Sequence, residues 1–575
     1  MTKTLAGLLL ALSLLLTSPA QAVKFSEITD GGSFAPSTDK ILTLRNGNTD
    51  RVAAFPTVDV AHGGTGATTA AAARANLGIG SATAAGRQPV CIRGNLPSDL
   101  GTTSGSSPQI RGRNVYFCPQ GAKYISLMYA GVWANQTVET DLADPIPLSI
   151  GIETVAGTAG GTLSTAPVPV TCNGQRPCLL PTRINTSGNT VTQGFLVTDP
   201  IPVNVPVGGY IAVRTYVGQS SGQKVAWGIY NSYQLGESCT ALSSISDNSL
   251  TTSVPSAFHS ACLTPTGILG VPQVPVTSAC IIGDSIGSGY VTLGLTSVGL
   301  SSGGSAYAQS DVGKILTVPG GTTLGTAYPA QVIITQVNGG SGTGAVTGVA
   351  LYTQGSYAVG GTPTSPQSPT GSTTGSGLAI TFNTGGAYDT GDAYGDKGYL
   401  QRALGPTTPF VAFTRGSDSL QGWANRDYAR MAMIAASGCK NAIIELGVND
   451  RSAGAATMES NLQKLTNQLL SLGVNVYATT LTPVTSSTDG FATTANQTPD
   501  AYVSTLATYN TDLAANYASW GLSGVFDVSA AVSSSPGSGL WAANGTIGYE
   551  TIDGVHLEGA GITNAATAVN VNLLK

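Results

Sequence analysis

The strongest constraint on this chain is a change of hydrophobic period late in the sequence. From residue 85 to 270 the apolar residues come in short runs, at 123–130, 146–152, 194–197, 210–216 and 224–230. Turn formers separate them, as in Asp144-Pro145, Asp199-Pro200 and Val207-Gly208-Gly209. Regular short strands with Gly and Pro turns predict an all-β sandwich. Beyond residue 391 the pattern differs. Apolar runs at 410–413, 441–446, 475–481 and 524–528 alternate with stretches of helical spacing at 425–437, 458–472, 500–515 and 559–574. With the run at 279–282, they predict an α/β unit whose parallel sheet is covered on both faces.

That α/β unit is split. Residues 291–390 are rich in Gly, Ser and Thr and have no helical period. They carry small units such as Gly303-Gly304-Ser305-Ala306-Tyr307 and Gly339-Gly340-Ser341, with strand-like runs at 330–336, 345–351 and 378–382. The expectation is an inserted β-rich domain on a surface loop, the kind of place where insertions are tolerated and specificity is carried. The resulting scheme is a sandwich over 85–270, the α/β unit over 271–290 and 391–575, and the insert over 291–390.

Only 10% of the residues are charged, the net charge is -5, and no Lys/Arg cluster occurs. Nucleic acid and anionic membranes are therefore poor partners. Lys3, the apolar run at 5–16 and Ala20-Gln21-Ala22 read as a signal peptide over 1–22, cleaved near Ala22. No later run approaches the ~18 apolar residues of a transmembrane helix, so a secreted protein, extracellular or periplasmic, is expected. Export makes disulfides plausible for the eight cysteines. Nearest-neighbour pairing gives Cys91–Cys118, Cys172–Cys178 and Cys239–Cys262, with Cys280 and Cys439 left over; buried free thiols are the alternative. The three histidines, His62, His259 and His556, form no metal-ligand spacing, so neither metal nor cofactor is expected.

Three short stretches carry chemistry. Gly283-Asp284-Ser285 directly follows the run at 279–282. A serine on a sharp turn at a strand's C-terminal end has an exposed hydroxyl and lies near the start of the next helix, whose free N–H groups stabilise an oxyanion. Gly447-Val448-Asn449-Asp450 closes the run at 441–446, and an amide there can donate to a developing oxyanion; an ordinary helix-capping turn is the alternative. Asp553-Gly554-Val555-His556 places a carboxylate three residues before an imidazole, so that the acid can fix Nδ1 while Nε2 faces the serine.

Taken together, these stretches resemble blocks I, III and V of the SGNH (GDSL-type) hydrolases, over about 200 of the 575 residues. Block II is matched by Gly416, with Gly422 as the fallback. The resemblance implies a flavodoxin-like three-layer parallel sheet and a serine esterase without cofactor. Ser285 would be the nucleophile, His556 its base and Asp553 the acid behind it. The N–H groups of Ser285 and Gly416 and the amide of Asn449 would form the oxyanion hole, while Asp284 braces the turn. The insert after block I departs from the compact pattern, in which Ile286-Gly287 would soon be followed by residues like Gly398-Tyr399-Leu400. The stretch 197–216, with Asp199-Pro200-Ile201-Pro202 and Gly208-Gly209-Tyr210, resembles the β-domain of secreted xylan-esterase-like members. It implies an acylated, foremost acetylated, glycan or another small ester as substrate. Residues 61–80, within a stalk over 23–84, resemble a phage tail-fibre segment and point to a homotrimer; His62 there reads as an exposed loop residue.

Two other serine-hydrolase patterns compete. Gly283-Asp284-Ser285-Ile286-Gly287 fits the Gly-x-Ser-x-Gly elbow of α/β-hydrolases, but that fold has several strands before the elbow and its acid on a separate loop. His259 precedes the serine as in a chymotrypsin-like protease, but helices dominate the C-terminal half. Outside enzymes, the alternative is a glycan-binding surface adhesin or fibre carrying an inactive hydrolase domain.

Overall fold

Five consecutive buried residues in each of three strands build the centre of the molecule. They are β2 (Ala279–Gly283), β3 (Phe410–Thr414) and β4 (Asn441–Glu445). Nearly continuous apolar strands of this kind suit a sheet covered on both faces. The six-stranded sheet adds β1 (Gly94–Asn95) beyond β3, and β5 (Asn475–Thr479) and β6 (Gly524–Phe526) beyond β4. Its order is β6-β5-β4-β2-β3-β1, and every pairing is parallel. The chain passes from β2 to β3 on one side and then crosses to β4 on the other. The order therefore reverses at β2, and a crevice is expected outside the carboxyl ends of such strands.

The computed structural model describes residues 39–44, 50–55 and 86–575, except 98, 103–108, 136–137, 142–144, 156–165, 182–193, 219–223, 230–236, 243–245, 252–260, 324–328, 341, 358–360, 389–395 and 427. The predicted signal peptide, the tail-fibre-like segment, His62 and His259 lie outside the described residues. The chain divides into two compact units, Met1–Leu77 and Gly78–Lys575. In the first, Asp39–Leu44 pairs antiparallel with Asp50–Phe55.

Helices of the α/β part are α1 (Tyr399–Leu404), α2 (Leu420–Arg426), α3 (Tyr428–Ser437), α4 (Ala455–Ser471), α5 (Val503–Asn516), α6 (Val528–Val532) and α7 (Gly559–Thr567). In α4, Met458, Leu462, Leu465 and Leu469 recur on one face and are buried. The helix ends where Gly473 takes φ 77°, with Gly473 N bonding Leu470 O and Val474 N reaching Leu469 O. The single helix expected at 425–437 is instead α2 followed by α3. The one expected at 559–574 gives way after Thr567 to a 3-10 turn at Val571–Leu573. No described helix is long and apolar enough to cross a membrane.

Residues 86–271 are β-rich. One antiparallel sheet runs Val168–Pro169, Ile146–Val155, Gly209–Gly218, Gln109–Cys118, Ser238–Leu242. The other runs Phe195–Val197, Ala122–Ala130, Gly267–Val271, Gln88–Pro89. Buried Ile125, Leu127, Leu148, Ile150, Ile211 and Val213 belong to a shared core. This region is tied to the α/β part, since β1 comes from it: Leu96 N bonds Ala412 O, and Thr414 Oγ1 bonds Asn95 Oδ1 at 3.2 Å. The β-rich stretch therefore also lends a strand to the central sheet, which nothing in its own sequence pattern signals.

The segment after Ser285 leaves along Tyr290–Ser305 and returns along Ser376–Tyr388, its antiparallel partner. Gly303 to Ser305, read as part of a small repeated unit, lie inside that first strand. A sheet of Ile315–Thr317, Gln331–Val337 and Val346–Thr353 joins them over a core that includes Leu295, Leu316, Val332, Tyr357 and Ile380. Gly398, the N-cap of α1, comes back against the start of the excursion. A Cβ there would lie 2.6 Å from Gly287 O.

No described cysteine is free. Cys91–Cys118 and Cys172–Cys178 are bonded, and Cys239 is disulfide-bonded as well. Cys280 and Cys439, left over by nearest-neighbour pairing, bond to each other across 159 residues. Sequence distance misled here because β2 and the segment just before β4 are adjacent in the sheet.

Glu153 is fully buried, ion-paired to Arg113 and with Arg214 Nε at 3.3 Å. Removing one member of a buried ionic group destabilises strongly. Glu153→Ala is expected to lower the unfolding free energy by about 3–5 kcal/mol, measured from urea unfolding curves.

Candidate active site

The loops that follow β2, β3 and β4 all open at one edge of the sheet, because Gly283 is in register with Thr414 on one side and Glu445 on the other. The first loop carries Ser285, the second Gly416 and the third Asn449. A fourth, between residues 550 and 558, brings in Asp553 and His556.

Ser285 is half-buried in a tight turn. Asp284 Oδ1 accepts from Ile286 N at 2.8 Å, and Ser285 O accepts from Tyr290 N at 2.9 Å. The expected helix does not follow the serine. Two turns lead into the strand at 290, because the insert begins there, and α1 resumes only at Tyr399. The donors available at this turn are thus loop N–H groups rather than those of a helix start. Among the described residues neither Ser285 N–H nor Gly416 N–H has an acceptor.

His556 Nε2 lies 2.9 Å from Ser285 Oγ, and His556 Nδ1 lies 2.6 Å from Asp553 Oδ2. Asp553 Oδ1 accepts the N–H groups of Val555 and His556, each at 2.8 Å. Burial pushes the Asp553 carboxyl up, but the His556 side chain and these N–H bonds outweigh it and hold the group below its usual range. The loop is pinned at its neck by Glu558 N to Glu550 O, 2.8 Å, and at its tip by Gly554. Gly554 has φ 78°, its carbonyl accepts from Trp541 Nε1 at 3.1 Å and from Thr485 N at 3.0 Å, and a Cβ would lie 1.8 Å from Thr485 O.

Gly416 sits in the turn Arg415–Asp418, closed by Asp418 N to Arg415 O, with Ser417 at φ 62°. No atom lies within 4 Å of where a Gly416 Cβ would be, so its face is open. The Asn449 amide donates to Asp418 O at 2.9 Å and to Asp284 Oδ2 at 3.1 Å. Asp450 accepts from Leu420 N and Gln421 N at 2.8 and 3.0 Å, so it caps α2, a helix earlier in the chain than the one expected. Gly422, the fallback for block II, lies inside α2, its N–H bonded to Ser419 Oγ.

Two residues at the site were not singled out in the sequence. Tyr290, the first residue of the excursion, packs its ring 4.8 Å from the imidazole of His556. A lone aromatic five residues after the serine, amid small residues, was the available signal. Glu445 ends β4 buried beneath the serine turn, accepting from Asp284 N at 3.2 Å. Gly283 and Gly287 leave room for it, since a Cβ on either would lie 2.7 or 2.6 Å from Glu445 Oε2. Burial, reinforced by the adjacent Asp284, pushes the Glu445 carboxyl well above its usual range. Burial likewise pushes Asp284 up to about 7, partly opposed by the Ile286 N–H. The pair supports the serine turn through its hydrogen bonds, Asp284 N to Glu445 and Ile286 N to Asp284. Among the described residues no cluster of His, Cys, Asp and Glu could hold a metal ion.

No family model and no curated protein matches the sequence. Solved structures similar to parts of it include a GDSL-like lipase from Bacteroides thetaiotaomicron, at 12% identity over 28% of this chain and 73% of that one, TM-score 0.21. A peptidoglycan O-acetylesterase matches at 11% identity over 51% and 89%, TM-score 0.24. A salicylyl-acyltransferase from a tetracycline biosynthetic pathway matches at 10% over 81% of each, TM-score 0.24. The geometry of the site, not these likenesses, carries the chemistry below.

Two outcomes follow from the loop at 550–558. A 2.6 Å Nδ1···Oδ2 contact should give a far-downfield His556 proton resonance. Gly554→Ala is expected to abolish it while destabilising the protein by about 1–3 kcal/mol through its backbone alone, measured by NMR and thermal melting. Burial pushes Glu550 up to about 7, opposed in part by Asn564. A raised carboxyl stabilises the fold while neutral, fully at low pH, and that contribution fades as the pH climbs to about 7. Relative to the parent, Glu550→Gln should therefore gain up to about 3 kcal/mol between pH 4.5 and 7, measured from unfolding curves at each pH.

Proposed function

We propose that the chain is a secreted serine esterase that releases acyl groups, foremost acetyl, from hydroxylated substrates such as glycans. The observation that carries this reading is the unbroken relay from Ser285 Oγ through both nitrogens of His556 to Asp553, with spacings of 2.9 and 2.6 Å. A base within hydrogen-bond reach of a hydroxyl, itself oriented by a carboxylate, is what nucleophilic acyl transfer requires.

In the proposed cycle Ser285 Oγ attacks the ester carbonyl while His556 takes its proton. Asp553 holds the imidazole tautomer and stabilises the imidazolium. His556 then protonates the leaving alcohol, and water hydrolyses the acyl-enzyme by the reverse sequence. The oxyanion meets the open N–H groups of Ser285 and Gly416. Asn449 joins them by exchanging its longer bond, 3.1 Å to Asp284, for one to the oxyanion.

A cavity of about 280 Å³ beside Asn449 supports a hydroxylated substrate. Ser417, Ser419, Gln421, Asn449 and Ser452 line it together with the Asp450 carboxyl, a set that can bond sugar hydroxyls and offers no cation for an acidic ligand. Cysteines that are all bonded, among those described, fit an oxidising compartment. The flavodoxin-like hydrolase over 271–290 and 391–575, the sandwich over 85–270 and the insert over 291–390 form the accompanying domain scheme.

An organofluorophosphonate should label Ser285 in the parent, and acetate should be released from acetylated xylan or from p-nitrophenyl acetate. Ser285→Ala should lose at least about a thousandfold in kcat. Acetate release retained by that variant refutes the assignment. Absence of labelling in folded protein favours the adhesin.

A further inference from the structure

The loop that carries Gly416 is gripped from outside the α/β part. A hairpin of the β-rich region, Val132–Asn135 paired with Val138–Asp141, touches one end of it directly and reaches the other through Arg430. Trp133 lies against Arg415, whose guanidinium carbon is 5.5 Å from the ring centroid. Glu139, 3% exposed, accepts from Ala429 N at 2.9 Å and Arg430 N at 2.8 Å at the start of α3.

Arg430 passes that hold to the far end of the loop. Its side chain is fully buried and ion-paired to Asp418, with Nε 3.7 Å from Glu139 Oε1. The guanidinium lies 4.2 Å from the Trp423 ring, and Trp423 Nε1 donates to Asp418 Oδ2 at 2.9 Å. Asp418 in turn receives Asn449 on its main-chain carbonyl. Arg415, Gly416, Ser417 and Asp418 are thus bracketed by Trp133 on one side and by the Glu139–Arg430–Asp418 chain on the other.

We propose that Trp133 and Glu139 are positioning residues for the oxyanion loop, so that the β-rich region supplies part of the catalytic geometry rather than only a place to bind substrate. The inference rests on the esterase reading and on Gly416 as an oxyanion donor. Its physical basis is that a buried ionic chain, held by the Arg430–Asp418 pair and by Glu139 on two N–H groups of α3, has one low-energy arrangement. Shifting Asp418 would separate charges that water cannot reach. Ser417 at φ 62° needs such support, because a non-glycine residue keeps that conformation only when its surroundings impose it.

The test uses the full chain with Trp133→Ala, Trp133→Phe, Glu139→Ala and Glu139→Gln. The readouts are kcat and KM on p-nitrophenyl acetate, the pH–rate profile and the melting temperature. The two alanine variants should lose about 10- to 100-fold in kcat, with KM within about twofold and the pH midpoint unmoved, because the Ser–His–Asp relay is untouched. Trp133→Phe and Glu139→Gln, which keep a ring and an acceptor, should recover most of the rate. Folded alanine variants with kcat within about twofold of the parent overturn the proposal, and so does a kcat loss accompanied by a shifted pH midpoint. If Glu139→Ala does not fold, the half-buried Trp133→Ala decides alone. A folded parent with no esterase activity defeats the esterase reading itself, and this inference with it.

Discussion

Everything at the site depends on Gly283 standing level with Thr414 and Glu445. Parallel strands that end at the same height release their loops toward the same space, and the reversal of strand order at β2 keeps that space unfilled by a connecting helix. Ser285, Gly416 and Asn449 are far apart in the chain but each lies within a few residues of one of these three ends. A slip of one residue between β2 and either neighbour would turn the pleat over and send the serine turn to the wrong side. The disulfide Cys280–Cys439 joins β2 to the segment entering β4 and so ties one of the two registers covalently.

Beneath the serine turn, the same alignment places two carboxyl groups where solvent does not reach. Glu445 and Asp284 are 3% and 1% exposed. Two ionised carboxylates so close and so buried would repel strongly, and raised proton affinity is the cheaper solution. Sharing protons lets the pair stay there as a hydrogen-bonding filler. Glu445 takes the N–H of Asp284, Asp284 takes the N–H of Ile286, and the two residues thereby hold both flanks of Ser285. Asp553, by contrast, is held below its usual range by His556 and two N–H groups and lies 31% exposed.

Local features were legible in the sequence wherever chemistry and period coincided. The strands expected at 279–282, 410–413 and 441–446 lie at Ala279–Gly283, Phe410–Thr414 and Asn441–Glu445, because buried parallel strands need unbroken apolar runs. Asp553 and His556 could be paired on paper because three residues of loop allow a carboxylate to reach Nδ1. What could not be read depended on distant chain. Gly94–Asn95 carries no strand signal of its own and joins the sheet only because β3 offers it an open edge. Glu139 looks like any surface acid until the start of α3 and the Arg430 side chain surround it. The helix expected after Ser285 is missing because the chain turns there into the strand Tyr290–Ser305, and α1 starts only at Tyr399.

The segment from 290 to 388 shows why such an excursion is tolerable next to the Ser285 turn. Its two outer strands, Tyr290–Ser305 and Ser376–Tyr388, pair with each other, and a core of its own lies around Leu295 and Ile380. It therefore asks little of the sheet except a narrow gap. Gly398 fits against Gly287 O and Gly289 N only because it lacks a side chain, so α1 starts close to where it would start with no insertion at all. The entry is less neutral than the exit. The Tyr290 ring packs, tilted, against the imidazole of His556, so the first ring of the segment borders the hydrogen-bond partner of Ser285. Burial, reinforced by Asp553, pushes the Tyr290 hydroxyl above its usual range, keeping it uncharged beside the relay. An excursion that begins beside His556 and ends as a glycine contact can vary in between without moving Ser285, His556 and Asp553.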